Sequence, residues 1–232
     1  MDTQPISVGR SFNLGWEAFK ANPVPAIVGF LAASLISSIP CVNIFIGAPL
    51  VGGMAILALN LVNRSQPEIG DIFKGFDRYL HFMGVFWLLI AIVAVAYIPT
   101  AIGSLLGAAI GVRVLASFLT LVGFLVTAVL IIGAMTRLGF AFFIVAENLH
   151  EGSVMTAFKK SLDITGRDYV NIFLTLLVAY LIGAAGAIAC VIGMFVTAPI
   201  AWCMFAALYN DLKPQAPPVV PAEEPAPAPD AA

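Results

Sequence analysis

ANPVPAIVGFLAASLISSIPCVNIFIGAPLVGGMAILALNLVN, residues 21–63, runs for 43 residues without a charged side chain. As a single helix it would measure about 60 Å, twice the ~30 Å hydrocarbon core of a bilayer, so it has to fold back on itself as a two-span hairpin. Ile39-Pro40-Cys41-Val42-Asn43 supplies the turn, because proline and asparagine interrupt the helix there.

Two further runs repeat the pattern. Residues 169–210 are 42 without charge, with a turn expected between Ile188 and Gly193. Between them lie the run Phe82–Val112, the lone Arg113 and the run Val114–Thr136, which make a longer hairpin. The expected fold class is therefore all-α: a polytopic membrane protein with six transmembrane helices arranged as three hairpins.

Composition agrees, since 61% of the residues are hydrophobic and 10% charged, well below the ~25% of soluble domains. A net charge of −2 made of both signs indicates neither nucleic-acid binding nor strong attraction to anionic lipid. The first apolar run follows Arg10, Glu17 and Lys20, so no short cleavable signal peptide is visible and the first span is expected to stay. All 13 acids, and ten of the 11 Lys and Arg, fall at the amino-terminal segment, in 64–81, in 137–168, or from Asp211 on. With six spans those regions share one side, which the positive-inside bias makes the cytoplasm, together with both termini. Cys41, Cys190 and Cys203 fit no zinc pattern. Cys41 and Cys190 sit at turns on the outer side, where they either pair or remain free small apolar fillers.

Each hairpin follows a segment of amphipathic spacing: Val8, Phe12, Trp16 and Phe19; Ile69, Ile72, Phe73, Phe76 and Leu80, opposite Asp71, Lys74, Asp77 and Arg78; and Val154, Phe158 and Leu162. These read as interfacial helices on the cytoplasmic leaflet, the alternative being cytoplasmic helices packed on one another. Ser65-Gln66-Pro67-Glu68 has capping-box spacing for the middle one, and Ser153 caps the last. The units also match one another. SVGRSF at 7–12 parallels SVMTAF at 153–158, while Ala48-Pro49, Met54 and Asn60 parallel Ala198-Pro199, Met204 and Asn210. Parallel repeats over about 6–63, 67–148 and 153–212 follow.

If Asn148 closes the middle unit as Asn60 and Asn210 close theirs, Arg137 sits eleven residues before it, as Pro49 and Pro199 do in the other units. Eleven helical residues measure about 16 Å, which carries the arginine toward mid-bilayer, where it costs about 2.5 kcal/mol or more. Two readings stay open. In one, a buried guanidinium binds a lipid phosphate or another anion, paired with Glu147 or held by Asn60 and Asn210. In the other, Arg137 snorkels at the cytoplasmic interface while residues 138–148 continue above the membrane. The candidate anion- and lipid-binding residues are thus Arg137, Asn60, Glu147, Asn148 and Asn210.

No HExxH, P-loop, G-x-S-x-G or paired intramembrane aspartates occur, and His81 and His150 stand alone. An enzyme, a metal or a cofactor is therefore not expected. PQAPPVVPAEEPAPAPDAA, residues 214–232, reads as a disordered acidic tail on a membrane domain of residues 1–213.

PEIGDIFKGFDRYL, TRLGFAFFIVAEN with SVMTAFKKSLDITGRDY, and IGMFVTAPIAWCMFAALYNDL together resemble the bacterial multi-pass membrane proteins of unknown function related to the membrane domain of glycerophosphoryl diester phosphodiesterases. The resemblance spans residues 5–213 and implies a six-helix protein of the inner membrane. The soluble catalytic domain of some relatives has no counterpart here, so its activity does not carry over. The expected role is a non-enzymatic scaffold that binds membrane lipid, a membrane-protein partner or a second copy of itself. The alternatives are a small transporter or channel with a polar site around Arg137, and lipid modification at the cytoplasmic interface.

Overall fold

A computed structural model describes residues 7–110, 113–148, 153–166, 168–189 and 191–213, and among these there is helix and no strand. The order is α1 (Val8–Ala21), α2 (Pro23–Ser37), α3 (Pro40–Asn63), a 3-10 helix (Ile69–Arg78), α4 (Tyr79–Ala96), α5 (Ile98–Ile110), α6 (Arg113–Leu138), α7 (Ala141–Ala146), α8 (Val154–Thr165), α9 (Tyr169–Ala189) and α10 (Val191–Leu212). Five of the rods are long and apolar enough to cross a membrane, or six if α1 and α2 are counted as one broken span. Those two meet at 95°. Asn22 cannot stay helical ahead of Pro23, and Pro23 starts the new helix at its first turn with φ already set. The α2–α3 turn is tighter than expected. It occupies Ser38 and Ile39, with Ser38 Oγ donating to Leu35 O at 2.6 Å, and Asn43 lies inside α3. The tail, Cys190 and the side chain of Cys41 lie outside the described residues, and the expected pairing of the two cysteines with them.

Small residues let the long helices pair closely. Gly103 faces Leu119 O, Gly107 faces the Ala116 backbone, and Gly123 faces Pro99 O, an antiparallel register along α5 and α6. Gly186 against Gly193, and Tyr180 against Phe205 with ring centroids 5.4 Å apart, do the same for α9 and α10. At the α4–α5 break before Pro99, Thr127 Oγ1 donates to Ala96 O at 2.9 Å and lies 2.8 Å from Thr100 Oγ1. The α6–α7 rod, Arg113 to Ala146, is about 18 Å longer than α10 at 1.5 Å per residue.

Each short helix docks on the last long helix of the unit before it. The 3-10 helix packs on α3, α8 on α7, and α1 on α10, so the contacts close a ring of three. Inside the ring α3, α7 and α10 meet around Phe140, Phe143 and Tyr209, the Phe143 and Tyr209 rings being stacked at 5.4 Å.

The short helices pack on their small residues and leave much of the bulky apolar stripe outside. α1 buries Ser11, Gly15, Ala18 and Phe19 and leaves Phe12 and Trp16 outside. α8 buries Ala157, Phe158, Ser161 and Thr165 and leaves Leu162 outside. Helices that associate without a hydrophobic drive toward one another approach on small side chains and turn bulky ones to the surroundings. In the middle unit the period itself is different. Three residues per turn stack Ile72, Gly75 and Arg78 in one row, and Asp71, placed by a 3.6 period on the outer face, is 1% exposed because it turns back to cap the helix start and to accept from Asn60. The cap differs too: Glu68 takes the N-cap and exchanges bonds with Asp71, displacing Ser65 from that role, and Ser153 occupies the N-cap of α8 without a side-chain bond.

Docking of the 3-10 helix on α3 is backbone against backbone. A Cβ on Gly53 would run into the Ile72 carbonyl, and one on Gly75 into the Pro49 carbonyl, neither of which can step aside. Gly53→Val is expected to cost about 1–3 kcal/mol by overpacking. That corresponds to a fall of roughly 2–12 °C in the melting temperature of the purified protein. Gly9→Ala, where no atom lies within 4 Å, leaves the melting temperature level or raises it.

Candidate functional site

The five sequence candidates separate into two places. Asn60, Glu147 and Asn210 join a polar girdle at the end of the ring where α3, α7 and α10 terminate. Asn60 Nδ2 donates to Asp71 Oδ2 at 2.8 Å, the backbone N–H of Glu68 to the same oxygen at 3.1 Å, and Lys74 Nζ reaches Oδ1 at 2.6 Å. Asn210 Nδ2 donates to Asn63 Oδ1 at 2.8 Å. Glu147 accepts from Tyr209 Oη at 3.0 Å and Lys213 Nζ at 2.6 Å. Arg10 pairs with Asp211 at 3.3 Å. Asn148 stands exposed just past α7, its φ of 61° stopping the chain in the left-handed region that asparagine tolerates.

Every one of these bonds ties one repeat unit to another, except the Glu68–Asp71 and Asp71–Lys74 contacts inside the 3-10 helix. The girdle is thus a fastening. Two of its members escaped sequence reading. Asp71 was assigned to a solvent face, although its spacing of three from Glu68 is itself a capping signature. Arg78 donates from Nη1 to Val145 O at 2.8 Å and Ala146 O at 2.6 Å, capping the carbonyl end of α7, and carries no motif that would announce it.

Arg137 stands apart from the girdle. It lies in the last turn of α6, before the break at Gly139 and Phe140, and its carbonyl accepts from Ser161 Oγ at 2.6 Å. Its guanidinium is exposed and lies over the Tyr169 ring, 5.5 Å from the centroid. Among the described residues it meets no carboxylate. Around it is a shallow recess of about 360 Å³ walled by Leu130, Gly133, Ala134, Leu162 and Tyr169.

On the neighbouring flank of α6 a larger cleft of about 430 Å³ separates α6 from α9. Phe140, Phe142 and Phe143, all under 9% exposed, form its floor with Trp202 and Phe205, and Ile132, Leu177 and Tyr180 form its open lips. Its walls are almost wholly apolar, and the Thr136 hydroxyl there is already bonded to Ile132 O at 2.8 Å. Phe173 stacks on Tyr169 at 6.5 Å and lines the cleft, so one face of α9 leads from the arginine into it. Among the described residues no group of three His, Cys, Asp or Glu is placed to hold a metal ion. Cys203, on α10, is buried and free.

The girdle's weight should rest on its buried carboxylate. Asp71→Ala strands the Asn60 amide and the Glu68 N–H and is expected to cost about 1–3 kcal/mol. Lys74→Ala, at a side chain 56% exposed, should cost less than about 1 kcal/mol. Thermal melting of the two variants side by side checks the order.

Compared with protein-family models, with curated proteins and with solved structures, the chain finds no match, so the resemblance to the phosphodiesterase-associated membrane domains rests on the quoted motifs alone.

Proposed function

We propose that this is a multi-pass membrane protein of six spans that binds lipid in the cleft between α6 and α9, without chemistry of its own. The cleft is the observation that carries the reading. Its volume of about 430 Å³ is that of a ligand pocket, commonly ~300–1,000 Å³, and its walls offer an occupant hydrocarbon contact and almost nothing else. It opens sideways between two rods that face the bilayer in this topology, so a chain can enter without crossing water. A dry apolar cleft supports an acyl-chain site over a transport pathway, which would call for polar, wettable walls.

The girdle and the three short helices then lie on the cytoplasmic side. Trp16, with Lys20 Nζ 5.6 Å over its ring, and the exposed Phe12, Ile69, Phe73 and Met155 supply the aromatic and apolar contacts of an interface, while the small-residue faces hold the ring. Arg137 belongs at that interface. Tyr169, on which it lies, opens α9 directly after Asp168, and α6 from Arg113 to Arg137 measures about 36 Å, enough to cross. The ~6 Å by which Arg113 to Arg137 exceeds the ~30 Å hydrocarbon core is a mismatch that tilt absorbs.

Two outcomes are expected. Reporters fused near Asn43 and near Cys190 should report the side opposite to reporters at Gln66 and at the carboxyl end; if all four report one side, the six-span topology is lost. Leu177→Trp, which fills the cleft from its lip, should at least halve the phospholipid that native mass spectrometry finds retained, while Leu121→Trp on the outer flank of α6 should leave it unchanged. Equal retention in both variants removes the acyl-chain site.

A further inference from the structure

We propose that Arg137 and Tyr169 form the headgroup end of this site and select a phospholipid of net negative charge, with its phosphate on the guanidinium and one acyl chain running down α9 into the cleft. The inference rests on the acyl-chain reading and adds the chemistry of the ligand.

Three observations converge. First, the guanidinium carbon lies 5.5 Å from the centroid of the Tyr169 ring, a cation–π contact that uses the face of the group and not its N–H donors, which a two-pronged grip on phosphate oxygens requires. Among the described residues no acid competes for it: Asp168, beside Tyr169 in the chain, is turned onto Asn171, accepting from its Nδ2 at 2.7 Å. Second, the recess around the arginine is otherwise apolar, lined by Leu130, Gly133, Ala134 and Leu162. A free inorganic anion would find one cation and the Tyr169 hydroxyl, which faces Gly133, among apolar walls, whereas an amphiphile satisfies the charge and the walls together. Third, the two recesses are bordered by one face of α9, with Tyr169 at the first, Phe173 at the second, and their rings stacked between. Tyr169, Phe173, Leu177 and Tyr180 recur along α9 over eleven residues, about 16 Å, from the arginine into the aromatic cleft.

The same surroundings set the preference among headgroups. The recess lining contains no Asp or Glu to receive an ammonium. A zwitterionic headgroup therefore keeps its own ammonium beside its phosphate and weakens the grip of Arg137, while phosphatidylglycerol presents the phosphate alone.

The test uses the full chain in nanodiscs containing phosphatidylglycerol and phosphatidylethanolamine in equal amounts, released gently and read by native mass spectrometry. Wild type should retain phosphatidylglycerol over phosphatidylethanolamine by about tenfold, the discrimination a charge-assisted pair supplies. Arg137→Gln should bring the ratio near one with total retained lipid and melting temperature little changed, and Arg137→Lys, a point charge without the fork, should fall between. Adding 10-fold excess inorganic phosphate over protein should displace nothing. A wild-type ratio near one, or an unchanged ratio in Arg137→Gln, overturns the headgroup site while leaving the acyl-chain reading standing if Leu177→Trp still sheds lipid. Displacement by inorganic phosphate overturns the lipid assignment in favour of a simple anion site. Retention unaffected by Leu177→Trp brings down the underlying reading instead.

Discussion

Where the 3-10 helix meets α3, a carbonyl of one helix lies against a glycine of the other, with no side chain between them, and the molecule's architecture follows from contacts of this kind. Gly53 receives Ile72, Gly75 receives the backbone at Pro49, and Gly15 fits against Met204. Such seams yield little hydrophobic energy for their length, but they bring backbones close enough for dispersion and weak polar contacts to act along a whole helix. They also free the large side chains. Phe12, Trp16, Phe73 and Leu162 face outward because the inward positions are taken by residues small enough to let the helices touch.

This distribution explains which features could be read from the chain and which could not. Rod lengths were legible because a charge is costly inside a long apolar helix; the 43- and 42-residue runs appear as α2–α3 and α9–α10, and the first turn shifts by only a few residues, to Ser38 and Ile39. The inward face of each short helix was not legible. Periodicity identifies the apolar stripe, and in a protein surrounded by lipid the apolar stripe need not be the packed one. Asp71 shows the same limit from the polar side: its capping bond to Glu68 and its bond from Asn60 turn it from the outside to the interior.

Among the candidate site residues, Asn60 and Asn210 were noticed for closing matching runs; each lies near the end of its helix, α3 or α10, and each bonds a different neighbour, Asp71 and Asn63, which the offsets did not announce. Arg137 was visible as a charge within an apolar stretch, but the cleft beside it was not, since Phe173, Leu177 and Tyr180 look in sequence like any other lipid-facing residues of α9. A void shows itself only when the walls are assembled.

The closed ring has a kinetic consequence. Among the described helices α1 is made before all the others, and the surface it docks on, α10, after them. At ~5–20 residues per second, roughly ten to forty seconds separate the two, and throughout that interval Gly15 lacks the Met204 backbone it packs against. Even when the partner arrives the seam is imperfect, for Ser11 Oγ and Asp211 Oδ2 are buried there without hydrogen-bond partners. The joint between beginning and end is therefore the step on which productive biogenesis waits, and the place where a newly made chain is most open to capture by membrane chaperones and proteases.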